Sequence, residues 1–245
     1  MNSKLPILEC IPNFSEGRDK NKINAIADAI RSVNGCHLLH IDTSPSANRT
    51  VMTFAGYPDA VVEAAYRGIK KAAELIDMTQ QQGVHPRIGA TDVCPLVPLA
   101  GLSMEDAIRY SNILGKRVGE ELHIPVYLYE HSALKEHRRA LPDIRKGQYE
   151  GFAEKMQLPD WLPDYGPATF TARSGATVIG ARNILVAFNI SLNTKDVDKA
   201  LYIAEHIRER GYIVEENGKR KRLPGILSKV RAIGWYMEDY ETAQV

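Results

Sequence analysis

His85 stands on a short path punctuated by glycine and proline, Gly83-Val84-His85-Pro86-Arg87-Ile88-Gly89-Ala90-Thr91-Asp92-Val93-Cys94-Pro95, which runs into apolar residues. Histidine is the common side chain whose ordinary pKa lets it both take and return a proton near neutrality. Pro86 restricts His85 to extended backbone, so the imidazole belongs on a turn or strand edge and not inside a helix. Two readings follow: a general acid/base on a loop held by a rigid neighbour, or a histidine that merely caps a turn.

The flanking residues supply elements able to hold such a loop. Leu5 to Pro12 has the length and apolar content of a strand, ended by Pro12-Asn13. From Asp19 to Val33 the residues Ile23, Ile26, Ala27 and Ile30 recur at three- and four-residue spacing, which predicts a one-sided helix ended by Gly35. Cys36 to Ile41 and Thr50 to Phe54 read as strands joined through Ser44-Pro45-Ser46. Pro58 opens a helix to about Met78, and Ala90 to Leu99 is a further strand. Ser103, followed by Glu105 and Asp106, starts another helix. Val126 to Tyr129 is a strand, with short helical pieces near Glu136 and between Pro142 and Met156. Alternating strands and helices with some strands adjacent predict an α/β (α+β) sandwich, helices on one sheet face, compatible with a ferredoxin-like βαββαβ core.

Leu158 to Pro167 holds three prolines and two aromatics in ten residues, the composition of a semi-rigid linker that also packs against something. The expected division is therefore 1–165 and 166–245. Beyond it, Thr177 to Leu192 reads mostly as a long strand, Thr194 as the cap of a helix to about Arg210, and Lys229 to Met237 as a strand. A piece of that size buries little core of its own.

Lysine and arginine nearly balance aspartate and glutamate, so no global field points to nucleic acid or a membrane surface. Cys10, Cys36 and Cys94 show no CxxC or zinc-type spacing and read as reduced, mostly buried thiols. The N-terminus lacks the apolar core of a signal peptide, and no stretch is long and apolar enough to span a bilayer, so a cytoplasmic protein is expected. Metalloprotease, nucleophile-elbow and P-loop patterns are absent from the sequence.

The His85 segment resembles the signature of the formiminotransferase family. So do Glu9-Cys10-Ile11-Pro12-Asn13-Phe14-Ser15-Glu16-Gly17 and Asp42-Thr43-Ser44-Pro45-Ser46-Ala47-Asn48-Arg49-Thr50. Further blocks are Pro125 to Tyr129, Gly166 to Phe170, Gly180-Ala181-Arg182 and Ala187-Phe188-Asn189-Ile190. The resemblance implies two ferredoxin-like subdomains with facing mixed sheets, helices outside, and a folate held between them. Measured against that pattern the second subdomain is incomplete, ending at Val245 before a further strand, helix and strand.

The implied reaction moves a formimino group from N-formimino-L-glutamate to N5 of tetrahydrofolate, the co-substrate, in histidine degradation. It requires no metal. An amine attacks an sp² carbon and another nitrogen leaves protonated, so one group must accept a proton and give it back. His85 matches the family's catalytic histidine. Asp42 and Asp92 are expected to orient the imidazole or bind a pterin or amidinium nitrogen, with ordinary turn or strand-end aspartates as the alternative. Arg49 and Arg87 suit carboxylates of donor or folate, against plain surface solvation. Gly166, Pro167, Ala168, Thr169, Phe170, Thr171, Ala172, Arg173, Ser174 and Gly175 correspond to a folate-contacting segment, and Glu205 to Tyr212 to a weaker second one.

The run Lys219-Arg220-Lys221-Arg222 reads as a solvated loop or as a landing patch for a folate polyglutamate tail. Two other readings stay open: N-formylglutamate as donor, and a folate-binding fragment without turnover. The resemblance also implies a homodimer; in the family the unit is often fused to a cyclodeaminase that processes the product, and with no such stretch in this sequence a separate cyclodeaminase is expected.

Overall fold

In a computed structural model, residues 5–186 and 188–245 are described; Met1 to Lys4, and Ala187 of the resemblance block, lie outside them. Ile7–Cys10 (β1) and Asn13–Phe14 (β2) are halves of one strand broken at Ile11-Pro12. Asp19 accepts bonds from the backbone N–H of Asn21 and Lys22, and so caps Lys20–Arg31 (α1). Cys36–Ser44 (β3) and Arg49–Gly56 (β4) form a hairpin, followed by Pro58–Leu75 (α2) with proline at its first position. Thr91–Ala100 (β5) leads into Met104–Glu121 (α3), where Ser103 and Asp106 make a reciprocal capping box. Then come Val126–Leu128 (β6), Leu141–Arg145 (α4), Gln148–Lys155 (α5) and Thr177–Ala181 (β7).

These seven strands make one sheet in which β4 and β5 flank the broken β1/β2 strand, β3 lies outside β4, and β7 sits between β5 and β6. Pairings out to β5 are antiparallel, and β5–β7 and β6–β7 are parallel. With β1 and β2 taken as one broken strand, the succession β1/β2, α1, β3, β4, α2, β5 follows the βαββαβ order that the sequence suggests. On one face α1, α2 and α3 cover the sheet, burying Ile26, Ile30, Val61, Ile69, Leu114 and Val118. β4 alternates between buried and half-buried residues, as a strand covered on one side must.

Helices on one face is only part of the arrangement. Over β5, β7 and β6 the opposite face is covered too: Ile144 of α4 and Phe152 of α5 pack there with Val93, Tyr127 and Val178. β5 is consequently buried on both sides from Thr91 to Val97, which explains its nearly continuous apolar reading.

The proline-rich stretch is a clamp within the first unit. Val126 N–H donates to Tyr165 O at 2.9 Å, and Gly115 and Gly119 of α3 leave room for Tyr165 and Gly166 to lie against the helix. The two compact units divide after Ile184, not after residue 165, because β7 completes the first sheet.

The second unit, residues 185–245, contains Val197–Ile207 (α6) and two two-stranded sheets: Tyr212–Glu216 (β8) with Lys219–Leu223 (β9), and Trp235–Met237 (β10) with Thr242–Gln244 (β11). The helix cap is Asp196 and not Thr194, since the Asp196 carboxylate accepts from Asp198 and Lys199 N–H. The long strand expected to Leu192 stops at Ala181, and the one expected from Lys229 begins only at Trp235. Among the described residues the buried apolar side chains of this unit are Ala200, Ala204, Met237 and Ala243, a core as small as its length suggests.

Candidate functional site

Three of the sequence blocks converge at the end of the broken strand. Ser15 N–H donates to Ala90 O at 2.9 Å and Ser15 Oγ to Gly89 O at 2.7 Å, which ties the first block to the His85 segment. Asn48, left-handed at φ 48°, accepts from Gly17 N–H at 2.9 Å and donates to Gln82 O at 2.8 Å, so the second block fastens both others. Asparagine tolerates this conformation better than most residues. The result is a pocket lined by Ser15, Ala47, Asn48, Arg49, Gln81, His85, Arg87 and Asp92.

Both imidazole nitrogens of His85 are engaged. Nε2 lies 2.6 Å from Arg49 Nη1, and Nδ1 lies 2.7 Å from Pro86 O. A guanidinium can only donate, so Nε2 is the acceptor and the ring proton sits on Nδ1, pointing at the carbonyl. Burial together with the charges of Arg49 and Arg145 pushes the His85 pKa down to about 3, the Pro86 carbonyl acting in the opposite sense. The imidazole is therefore neutral at physiological pH. Neither aspartate orients it, contrary to expectation: Pro86 and Arg49 do.

Protonation of this ring favours the unfolded chain, where histidine titrates near its ordinary value. Stability linked to His85 is complete above about pH 6.5 and is lost as pH falls toward 3. Between pH 7 and pH 5 the wild type is expected to lose about 1–2 kcal/mol more than His85→Gln, measured by urea unfolding, allowing for screening at the ring's open edge.

Arg49 also donates to Asn13 Oδ1 at 3.1 Å, and among the described residues no carboxylate forms an ion pair with it. Burial and the nearby Arg145 charge lower its pKa, while Asp92 and Asp42 act the other way. Asp42 is exposed on β3 and does not line the pocket. Asp92 is buried, accepts from Ile88 N–H at 3.0 Å and is ion-paired with Arg145. Arg87 is committed elsewhere, donating to Glu150 Oε1 at 2.7 Å and Gln81 Oε1 at 2.7 Å. It braces the loop, and the surface-solvation reading is excluded by its burial.

Arg145 was not legible in the sequence, because it reaches Asp92 from α4 with no local spacing to mark the pair. Of residues 166–175, none lines the pocket. Ser174 and Gly175 do abut the stem of the His85 loop, with Ala90 N–H donating to Ser174 O at 2.8 Å and Gly89 bridged to Gly175. Gly175 has φ 66°, and a Cβ on either glycine would strike the other strand's backbone.

The basic run is a strand and not a loop. In β8–β9, Glu215 pairs with Arg220 and Glu216 with Lys219, so two of its four cations face glutamates, around an Asn217-Gly218 turn with both φ values positive. In α6, His206 stacks between Tyr202 and Tyr212 at 3.9 and 3.8 Å. Cys10, Cys36 and Cys94 are free and buried, with Cys10 and Cys94 sulfurs 3.4 Å apart. Among the described residues no helix is long and apolar enough to cross a membrane.

Comparison with known proteins accords with this geometry. Residues 7–182 match the family model of the formiminotransferase domain, N-terminal subdomain, and residues 187–245 that of the formiminotransferase domain. The chain is 48% identical over 240 residues to a formimidoyltransferase-cyclodeaminase of Mus musculus, covering 98% of this chain and 43% of that protein. It is 42% identical over 243 residues to a glutamate formimidoyltransferase of Thermoplasma acidophilum, and 41% identical over 239 residues to one of Streptococcus pyogenes. Those two alignments cover 98% of this chain and 76% of each relative. The chain thus spans less than half the length of the animal relatives it matches. With both subdomain models matched in order along it, the chain belongs to the formiminotransferase family.

Proposed function

We propose that this chain transfers the formimino group of N-formimino-L-glutamate to N5 of tetrahydrofolate, releasing L-glutamate. The observation that carries the reading is the pairing of a neutral imidazole with a guanidinium that has no carboxylate of its own among the described residues. The guanidinium suits the donor's carboxylate, and the imidazole suits the proton transfers. The relatives named glutamate formimidoyltransferase support the choice of reaction.

N5 attacks the formimino carbon, forming the new C–N bond. His85 Nε2 takes the proton that N5 gives up and delivers it to the glutamate nitrogen as that C–N bond breaks. Tetrahydrofolate is a co-substrate with no metal involved, and Gly166 to Gly175 are assigned to its binding on the strength of the resemblance. We assign the protein to the cytoplasm and to histidine degradation, as a homodimer whose product is passed on to a cyclodeaminase activity.

A two-substrate assay of the purified chain tests the reading, with tetrahydrofolate and either N-formimino- or N-formyl-L-glutamate. Turnover with the formimino donor is the expected result. Turnover confined to the formyl donor would reassign the substrate, and folate binding without turnover on either donor would reduce the chain to a binding fragment.

A further inference from the structure

We propose that Arg49 is a latch on the base: its guanidinium holds Nε2 of His85 until a carboxylate of the donor draws it off, and only then can the imidazole accept a proton. This rests on the reading of the pocket as a site for a glutamate-type donor, and adds the order in which its parts become active.

The geometry is restrictive. With Nδ1–H committed to Pro86 O, Nε2 is the one position where His85 can take a proton, and the 2.6 Å line to Arg49 Nη1 already contains one. Arginine does not surrender its proton in proteins. For His85 to act as a base, the guanidinium has to move and not merely ionise.

The other charged groups around the ring leave Arg49 as the mobile one. Arg145 on α4 is tied to Asp92 on β5, and Arg87 on the loop itself is tied to Glu150 and Gln81. Asp42 on β3 lies close enough to influence Arg49 electrostatically, without an ion pair to it. Arg49 is held by two neutral acceptors, Asn13 Oδ1 and the imidazole. A carboxylate offers the same fork two charge-assisted bonds, roughly twice as strong as neutral ones, so it outcompetes the ring nitrogen.

Neutralising that guanidinium also removes an opposing charge from beside the imidazole, so donor binding and proton affinity rise together. By linkage the effect is reciprocal: protonating His85 strengthens donor binding by the same factor. The unliganded enzyme keeps an inert base, and the acceptor amine meets a working one only when the donor is in place.

The test follows the seven histidines by NMR of imidazole-labelled protein, with His85→Gln identifying the His85 signals. The probe is N-formimino-L-glutamate without folate, so that no transfer can occur. Without donor, His85 is expected to stay in its Nδ1–H tautomer and not to titrate above about pH 4. At saturating donor its pKa should rise by about one unit or more, a tenfold change in proton affinity. In Arg49→Gln the pKa should already be raised and should not respond to donor.

A His85 that titrates near pH 6.5 without donor would overturn the latch, as would donor binding seen by calorimetry with no movement of the His85 pKa. In both cases the donor reading survives. Failure of the donor to bind would overturn both. The wild-type titration decides the matter even if Arg49→Gln does not fold.

Discussion

His85→Ala is expected to lower kcat for formimino transfer by about 10²–10⁴-fold, the span that a single positioned acid/base contributes. The donor KM should change little, because the carboxylate is assigned to Arg49 and the imidazole handles only protons. In the pocket the side chains able to accept a proton are His85 and Asp92, and Asp92 is consumed by Arg145 and the Ile88 amide. Steady-state kinetics with both substrates varied would separate the cases. A His85→Ala enzyme with wild-type kcat would transfer the role to Asp92, and a variant altered in KM alone would make His85 a binding group. Added imidazole should recover part of the lost rate in His85→Ala, an effect that a loop-capping histidine would not show.

The largest effect on stability is expected at Asp164. Arg138 is completely buried, ion-paired with Asp164 Oδ1 at 2.9 Å, and also donates to the carbonyls of Asp160 and Leu162. Its guanidinium carbon lies 5.1 Å from the Tyr127 ring centre and 5.6 Å from that of Trp161. The second Asp164 oxygen accepts from Leu128 N–H at 2.7 Å. Asp164→Ala leaves a buried cation unpaired and a strand amide unsatisfied, a cost of about 3–5 kcal/mol. For a unit of this size that lowers the melting temperature by roughly ten degrees. The double variant Arg138→Met with Asp164→Leu should recover much of the loss, since removing both charges together avoids stranding one. Calorimetry on the three proteins would check this, and a melting temperature unchanged in Asp164→Ala would show the pair to be dispensable.

Most of the first unit was legible because its elements announce themselves locally. Asp19, Pro58 and Ser103 mark helix starts by capping chemistry that depends on residues at most a few positions away. The three blocks of the site were likewise readable one by one, and their convergence required the resemblance. What escaped was non-local. Arg145 finds Asp92 across the fold, and Arg87 is claimed by Glu150.

The Pro-rich stretch showed its stiffness in the sequence but not its partner, the glycine face of α3. In the second unit Asn217-Gly218 is a direct hairpin signal, and the dense lysines and arginines that follow it hide the strand because such charge is the usual mark of a solvated loop.

The position of β7 has a consequence for the order in which the molecule can be made. During synthesis residues 126–128 emerge well before residues 177–181, yet among the described strands β6 pairs with β7, which must insert between it and β5. Until Ala181 has left the ribosome the sheet can close only as far as β5, and the apolar side chains of β6 wait without a neighbouring strand. The His85 loop is anchored on the same late event, since Ile88 O accepts from Ala176 N–H and Gly89 is bridged to Gly175 just ahead of β7. The stem of the His85 loop is thus among the last parts of the first unit to be secured, and a nascent chain stopped at residue 165 would carry every residue of the pocket without the strand that steadies it.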